Sequence, residues 1–467
     1  MLFTLFLATS LAVLATTLPT INTDGYAPSS IVTRDVCIIG GGSTGTYSAI
    51  SLHDKGISVV VIEAQDRLGG HTNTYTDPNT NETIDYGVVL FHNISVVNNY
   101  FARFNIPLTK AVLSSPGETS TYVDFQTGKI VAGYTPNDPT AALAAYAAQL
   151  AQYPYLETGF VLPDSVPADL LLPFGDFVTK YALQDMVGFL FQFAQGLGDL
   201  LSQLTLYVFK NFGLSVLQGV QNGFLTTLDQ DNSEIYVKAL AVLGQDVLLT
   251  SHVLAVDRSA SSSGGCVKVL VQTPQGVKLI LAKKLILTIP PKLHNLEGFD
   301  LSTEETSLFL QFQNSAYYTG LLRGTKIPDL TTVNNIGAAT QYNLPILPAA
   351  YSITPTRVPG LHDVKFGSAN ALPDEQVKAD IIASVNRINA ARIFNSTAEP
   401  EFAVFASHTP FELTVPKEAI EGGFYKSLYM LQGTRETWYT GAAWHTHDSS
   451  LLWVFTEGVL QGVLEGL

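Results

Sequence analysis

The sequence predicts an α/β protein organised around a βαβ unit, and three observations carry that prediction. Val36-Cys37-Ile38-Ile39 is a short apolar run, as expected of a strand buried on both faces. It runs directly into Gly40-Gly41-Gly42-Ser43-Thr44-Gly45, a glycine turn opening a helix. A second apolar run, Val59-Val60-Val61-Ile62, ends in Glu63, 18 residues beyond Gly45. Strand, glycine turn, helix, strand and terminal acid in this order are the arrangement that holds a dinucleotide.

Each position in the unit has a physical task. Gly40 permits the tight turn, Gly42 lets backbone approach a pyrophosphate, and Gly45 lets the helix lie close on the strand. The helix is expected from Ser43 to about Lys55, with Gly56 as its C-terminal stop. Its first turn carries no Asp or Glu, so nothing there repels the phosphates that the free amides and helix dipole attract. Glu63 is placed to accept hydrogen bonds from ribose hydroxyls.

The chain has 467 residues, 46% hydrophobic and 14% charged, enough for a large core and two domains. A net charge of −15 excludes nucleic acid as a partner, since phosphate binding needs a basic face. Residues 1–17 read as a signal peptide, with the apolar run from Met1 to Ala15 ending in small residues. That run is short for a spanning helix; an uncleaved anchor is the alternative. Once the signal is removed no transmembrane span is expected, and the protein is expected in the secretory pathway or outside the cell. Sequons at Asn81, Asn93 and Asn395 agree with glycosylation there. Of the two cysteines, Cys37 reads as a small core residue in the first strand, and Cys266 follows a Ser/Gly turn. No disulfide between them and no metal site is expected.

Farther along, Arg67-Leu68-Gly69-Gly70-His71 supplies a second glycine pair for close backbone approach. From about Thr109 to Ile235 the pattern reads as helical, with helices at Ala141–Leu150 and Asp185–Phe209. Asp246–Leu249, Val253–Val256, Val267–Val271, Val277–Ile280 and Lys284–Ile289 then read as the short strands of a β-meander, ended by Pro290-Pro291. A mixed region follows from about Leu301 to Tyr425, and a last helix runs from about Ser450 to Leu464.

Together these motifs resemble the flavin-dependent amine oxidase superfamily. They are Gly40-x-Gly42-x-x-Gly45, Glu63-Ala64-x-Asp66-Arg67-x-Gly69-Gly70, Asp85-x-Gly87, Thr288-Ile289-Pro290-Pro291 and Tyr439-Thr440-Gly441. Gly69 to Pro78 and Phe91-His92-Asn93 resemble, within it, fungal β-cyclopiazonate dehydrogenase and its relatives. The resemblance implies a glutathione-reductase-like Rossmann FAD domain, a parallel sheet plus β-meander, with a discontinuous α+β substrate domain. The FAD-binding domain would comprise 30–108, 236–300 and 426–467, and the substrate domain 109–235 and 301–425. Gly40, Gly42, Ser43 and Gly45 would surround the pyrophosphate. Glu63 would bind ribose, and Arg67, Gly69, Gly70 and His71 the phosphate and ribityl portion. The backbone of Val253 would hold the adenine. Gly441, Leu452 and Trp453 would approach the flavin pyrimidine, where the last helix's N-terminus could stabilise negative charge on reduced flavin. His71 replaces the arginine common after the double glycine, and Ala443 the glutamate common before the last helix. No cysteine lies near that helix, so FAD is expected to be non-covalent. No lysine in the sequence corresponds to the one that in many amine oxidases holds a water at the flavin.

With one glycine motif there is no expected NAD(P)H site, and electrons from a small-molecule substrate would pass to oxygen or another acceptor. His92 is the candidate catalytic base or polariser, with a structural histidine hydrogen-bonded in the core as the alternative. His445 and His447 read as helix-entry residues beside Asp448 or Ser449 as cap, and aromatics such as Tyr317, Tyr318, Trp438 and Trp444 as a substrate cage or as packing. The leading expectation is a FAD oxidoreductase of fungal specialised metabolism acting on an apolar amine- or peptide-derived molecule. One alternative is a plain amine or L-amino-acid oxidase with Arg323 or Arg435 clamping the carboxylate. Another is a flavin-binding protein without catalysis.

Overall fold

The computed structural model describes residues 21–261, 265–394 and 399–467. The signal segment and Asn395 lie outside them. Two sheets organise the chain. The first has seven strands in the order His252–Asp257, Val267–Thr273, Gly276–Leu287, Ile31–Ile39, Val59–Ile62 and Val247–Leu248, with Thr437–Tyr439 beside Gly276–Leu287. Val59–Ile62 lies parallel to Ile31–Ile39 with Val36 opposite Val59, which is the βαβ unit in its expected register. All four residues of Val59–Ile62 are buried, as a two-faced parallel strand requires.

Gly276–Leu287 is one strand of 12 residues, where two short strands were expected. Its apolar positions continue through Leu281 and Ala282, so no turn divides it. Its first part closes an antiparallel meander with Val267–Thr273, and Leu285 to Leu287 pair in parallel with Thr437 to Tyr439. Val247–Leu248 lies outside the meander, parallel to Val59–Ile62 at the sheet's other edge.

The second sheet has eight strands, with Gln313–Arg323, Leu361–Ser368 and Ala349–Pro355 adjacent in its middle. Thr119–Asp124 and Lys129–Ile130 belong to it, so the expected helical stretch from 109 to 235 also contains strands. The helix expected over Asp185–Phe209 is two, Val187–Phe193 and Thr205–Asn211. Gly196 and Gly198 break it with φ of +87° and +70°. One face of the second sheet is covered by the helix Asp374–Ala390, whose Val377, Ile381, Val385 and Ile388 pack with Val364 and Phe366. The other face is left for the site.

The helix Ser43–His53 follows the first strand, and Gly56 completes the turn beyond it. It packs against the C-terminal helix Ser449–Leu464 through Tyr47 and Trp453, stacked at 5.7 Å. Cys37 and Cys266 are free thiols. No helix among the described residues is long and apolar enough to cross a membrane.

Candidate active site

A cavity of 970 Å³ is walled on one side by the C-terminal ends of parallel strands, where α/β sheets bind ligands, and on the other by the second sheet. Gly40, Gly42, Ser43, Glu63, Gly69, Gly70, His71, Gly441 and Leu452 all line it. Residues up to 412 positions apart are thus brought to one space.

The glycine turn is built by close contact. A Cβ on Gly45 would stand 1.9 Å from the carbonyl oxygen of Gly40, and one on Gly40 would stand 2.4 Å from Thr288 Oγ1. That hydroxyl donates to the carbonyls of Ile39 and Gly40, both at 3.0 Å, tying the turn to the neighbouring strand. Gly42 is the N-cap of the helix, with no side chain capping its amides and no acid in its first turn. Across from it, a Cβ on Gly70 would meet Gly42 Cα at 3.0 Å. Two bare backbones and an uncapped helix end therefore form a cradle that fits a pyrophosphate.

Glu63 stands at the edge of this cradle. Its Oε2 accepts from the Gly41 amide at 2.6 Å and its Oε1 from the Gln65 amide at 2.7 Å. A carboxylate offers about four acceptor positions, so two amides leave capacity for ribose hydroxyls.

Arg67 is placed differently from expectation. Its Nη1 donates to the Thr72 carbonyl at 3.0 Å and its Nη2 to the Gly70 carbonyl at 2.9 Å, with Asn73 Oδ1 as a further acceptor. It braces the double-glycine loop from within and does not line the cavity. Burial, with the Arg67 charge nearby, pushes His71 down to about 4, so the residue standing in for an arginine is a neutral imidazole.

Three further positions are corrected. Val253 sits in the meander opposite Val271 and does not line the cavity, although the preceding Ser251 amide bonds to the Glu63 carbonyl at 2.9 Å. Trp453 is fully buried, stacked on Phe91 at 5.6 Å, and its indole donates to Ser43 Oγ at 3.0 Å. Successive helical residues diverge by about 100°, so Leu452 faces the cavity while Trp453 faces the core. His92 also lies off the cavity, with its amide donating to Ser450 Oγ and its Nε2 3.0 Å from Asp448 Oδ2. Burial lowers the His92 pKa, but the Asp448 charge and hydrogen bond outweigh it and hold it above the usual range. His92 thus anchors Asp448, which does line the cavity.

Asp448 caps the last helix, accepting from the Leu451 amide at 3.0 Å. Burial raises its carboxyl, yet His92 holds it below the usual range. A carboxylate therefore occupies the helix end that was expected to offer positive potential. His447 faces the cavity, accepts from the Glu412 amide at 2.9 Å and stacks on Phe411 at 4.0 Å. His445 turns away, 3.0 Å from the Glu157 carbonyl. Tyr317 and Trp444 line the cavity; Tyr318 and Trp438 are packing residues of the two cores.

His408, Phe411, Asp363 and Lys365 line the cavity without having been anticipated. His408 stacks on His71 at 4.6 Å, and burial holds its pKa well below normal. No local motif marks it. Asp363-x-Lys365 did carry a signal, two charges alternating with Val364 and Phe366 along one strand. The arginines considered for a carboxylate clamp are occupied elsewhere: Arg323 pairs with Asp77, and Arg435 with Asp300. Neither lines the cavity. Asn81 and Asn93 are exposed.

The domain family described as NAD(P)-binding Rossmann-like matches residues 38–104. A FAD-dependent oxidoreductase of Cochliobolus heterostrophus, oblC, is 43% identical, covering 96% of this chain and 95% of its own length. The FAD-dependent oxidoreductase pigF of Monascus ruber is 40% identical over 100% of both chains. The β-cyclopiazonate dehydrogenase of Aspergillus oryzae is 36% identical over 94% of each. Among solved structures, a fatty acid isomerase from P. acnes has a TM-score of 0.72 at 17% identity, covering 92% of this chain and 99% of its own. Putrescine oxidase bound to putrescine has a TM-score of 0.63 at 15% identity, over 92% and 99%. These two share the fold.

Proposed function

This chain belongs to the fungal FAD-dependent oxidoreductases that include β-cyclopiazonate dehydrogenase, and from that premise we propose that it dehydrogenates an apolar amine- or peptide-derived molecule of specialised metabolism. FAD is its cofactor, and when bound it supplies a hydride acceptor. The observation that carries the reading is the single cavity joining the glycine cradle to a wall of Phe193, Phe224, Tyr317, Phe411 and Trp444. Such a wall suits flat apolar rings and excludes water from the reacting bond.

The proposal extends to the cofactor's surroundings. Gly42, Ser43 and Gly70 would hold the pyrophosphate, Glu63 the ribose, and Gly441 and Leu452 the flavin end. The FAD domain is of glutathione-reductase-like type, with the boundaries given above and the remaining segments forming the substrate domain. FAD is held non-covalently: Cys37 lies buried in a strand core and Cys266 beside the meander. Electrons pass to oxygen or another acceptor without NAD(P)H, and the protein enters the secretory pathway.

Anaerobic mixing with a panel of cyclic and peptide-derived amines is expected to bleach the flavin band near 450 nm, followed by recovery in air. Bleaching by free L-amino acids with peroxide release would instead favour the plain oxidase, and no bleaching by any compound a flavin-binding protein without catalysis. Arg323 and Arg435 are paired away from the cavity, and Arg357, which lines it, is paired with Glu82.

Glu63→Ala removes the carboxylate that would accept from ribose, one charge-assisted hydrogen bond being worth about 1.5–3 kcal/mol, and strands the Gly41 and Gln65 amides. FAD affinity is expected to fall by about tenfold to hundredfold, at 1.4 kcal/mol per factor of ten. Equal flavin retention on dialysis would remove Glu63 from the site.

A further inference from the structure

His447 stands in the loop before the last helix, one residue ahead of the cap Asp448, and lines the cavity. One of its ring nitrogens is already committed: Nε2 accepts from the Glu412 amide at 2.9 Å. A neutral imidazole has one N–H and one acceptor nitrogen, so an accepting Nε2 puts the proton on Nδ1. Nδ1 has no hydrogen-bond partner among the described residues, and it is not one of the enclosed side-chain atoms. A donor of fixed identity is therefore left open on the cavity side.

The backbone itself holds this state. Glu412 has φ of +41°, in the left-handed region that a residue with a Cβ rarely adopts, and this turn of the chain aims its amide at the imidazole. A proton on Nε2 would set one N–H against another, so the contact also opposes the charged form. Burial, with His71 nearby, pushes the His447 pKa down to about 3. Stacking on Phe411 at 4.0 Å fixes the plane of the ring. The neighbours then select the kind of acceptor. His71 and His408 are neutral imidazoles, Lys365 is paired with Asp363, and Asp448 is a carboxylate lining the same cavity. A carboxylate at His447 would meet the Asp448 charge, whereas a carbonyl oxygen needs only the one donor.

We propose that His447 is a binding residue of this cavity, a permanently neutral donor whose Nδ1–H takes a carbonyl oxygen. Two carbonyls offer that chemistry, one on the substrate and one on the flavin ring, and the experiment below separates them. His447 acts in this by donating a hydrogen bond and transfers no proton. The inference deepens the proposed function and rests on it.

The test uses flavin-loaded protein and two probes, 1-indanone and indane, the second keeping the rings without the oxygen. His447→Phe keeps a ring against Phe411 and removes the donor, while His447→Asn restores an amide N–H near the place of Nδ1. Both lose the acceptor for the Glu412 amide, so the difference between them isolates the donor. Probe binding is read by saturation-transfer NMR, and the flavin's reduction potential by dye equilibration without probe. If the acceptor is the ligand's carbonyl, the preference for 1-indanone over indane is expected to fall about fivefold in His447→Phe relative to the wild type. If it is the flavin's, the potential is expected to drop instead, because reduction places negative charge on the ring that the donor had stabilised. Either change, recovered in part by His447→Asn, supports the inference. Neither change, or a His447→Asn protein that matches His447→Phe, would overturn it. Should His447→Phe fail to fold, proton–nitrogen correlation spectra of histidine-labelled wild type decide: a proton on Nδ1 of His447 supports the inference, and one on Nε2 overturns it. A wild type that holds no flavin would overturn the reading of function above, and this inference with it.

Discussion

Gly45→Ala is expected to give a protein that purifies without its flavin colour and melts well below the wild type. The cause is one contact: the added Cβ would stand 1.9 Å from the Gly40 carbonyl oxygen and 3.0 Å from Thr288 Oγ1. The first of these is backbone, fixed by the strand behind it and by the two hydrogen bonds of the Thr288 hydroxyl. The overlap cannot be relieved by a rotamer change, so the helix Ser43–His53 must lift from the strand. Lifting it moves the helix N-terminus and Gly42 away from Gly70. Overpacking of this kind costs about 1–3 kcal/mol or more, and the cradle for the pyrophosphate is lost in the same movement. Gly458→Ala is the control, since it lies in the last helix with open space around it. There alanine is expected to be neutral or to stabilise by up to about 1 kcal/mol. Absorbance at 450 nm against 280 nm, together with the thermal midpoint, reads both. A Gly45→Ala protein matching the wild type in both would show that the turn is not the close-packed unit described.

The contrast between those two glycines shows why part of this site was legible in the sequence. Gly40, Gly42, Gly45 and Glu63 are local: one strand, one turn and one helix place them, so spacing alone carries the geometry. Gly69 and Gly70 were legible for the same reason, since backbone approach depends on residue type. Side-chain roles were harder. Arg67 was expected at the cofactor, but its guanidinium turns back onto the carbonyls of its own loop. His92 was expected at the flavin because it follows a strand that abuts it in the resembled family, and Trp453 because it lies near the start of the last helix, yet side-chain direction sends both into the core.

The substrate wall was scarcely legible at all. His71, His408 and His447 come together from three distant segments, and no local pattern encodes their stacking. The second sheet's strand Thr119–Asp124 lies beside Thr331–Asn335, more than 200 residues away, and its polar Thr-Ser-Thr start gave no apolar run to find. The helix expected over Asp185–Phe209 is divided because Gly196 and Gly198 take positive φ, which apolar periodicity does not register. A Cβ at Gly196 would meet the ring of Phe411, itself a cavity residue, so that break belongs to the site.

The second large effect is expected at Arg258, which reaches the site indirectly. Arg258, Asp300 and Glu305 are each about 2% exposed. Arg258 Nε lies 2.8 Å from Asp300 Oδ1, and its Nη1 lies 2.7 Å from Glu305 Oε1. Glu305 also accepts from the Tyr439 hydroxyl and, through the Ser302 amide, closes the capping box of the helix Thr303–Phe309. The cluster therefore ties the meander to the Tyr439-Thr440-Gly441 segment that lines the cavity. Arg258→Met leaves two buried carboxylates with only the more exposed Arg435 beside them. Breaking a buried pair from one side costs about 3–5 kcal/mol, so the thermal midpoint at neutral pH is expected to drop sharply.

The pH dependence distinguishes this from a simple packing loss. Burial raises the Glu305 carboxyl, but in the wild type the charge and hydrogen bonds of Arg258 outweigh it and hold the pKa below the usual glutamate range. Its contribution to stability is thus fully present above the unfolded-state value and is lost as pH falls through the lower folded value. In Arg258→Met burial is left to dominate, so the folded pKa of Glu305 moves above its unfolded value. The sign then reverses, and stability is lost as pH rises through that raised pKa. The gap between the two proteins is therefore widest near neutrality and narrows as pH falls below the unfolded pKa of Glu305. Midpoints measured from pH 7 down to pH 4 check this, and a gap that stays constant with pH would leave only a packing role for Arg258.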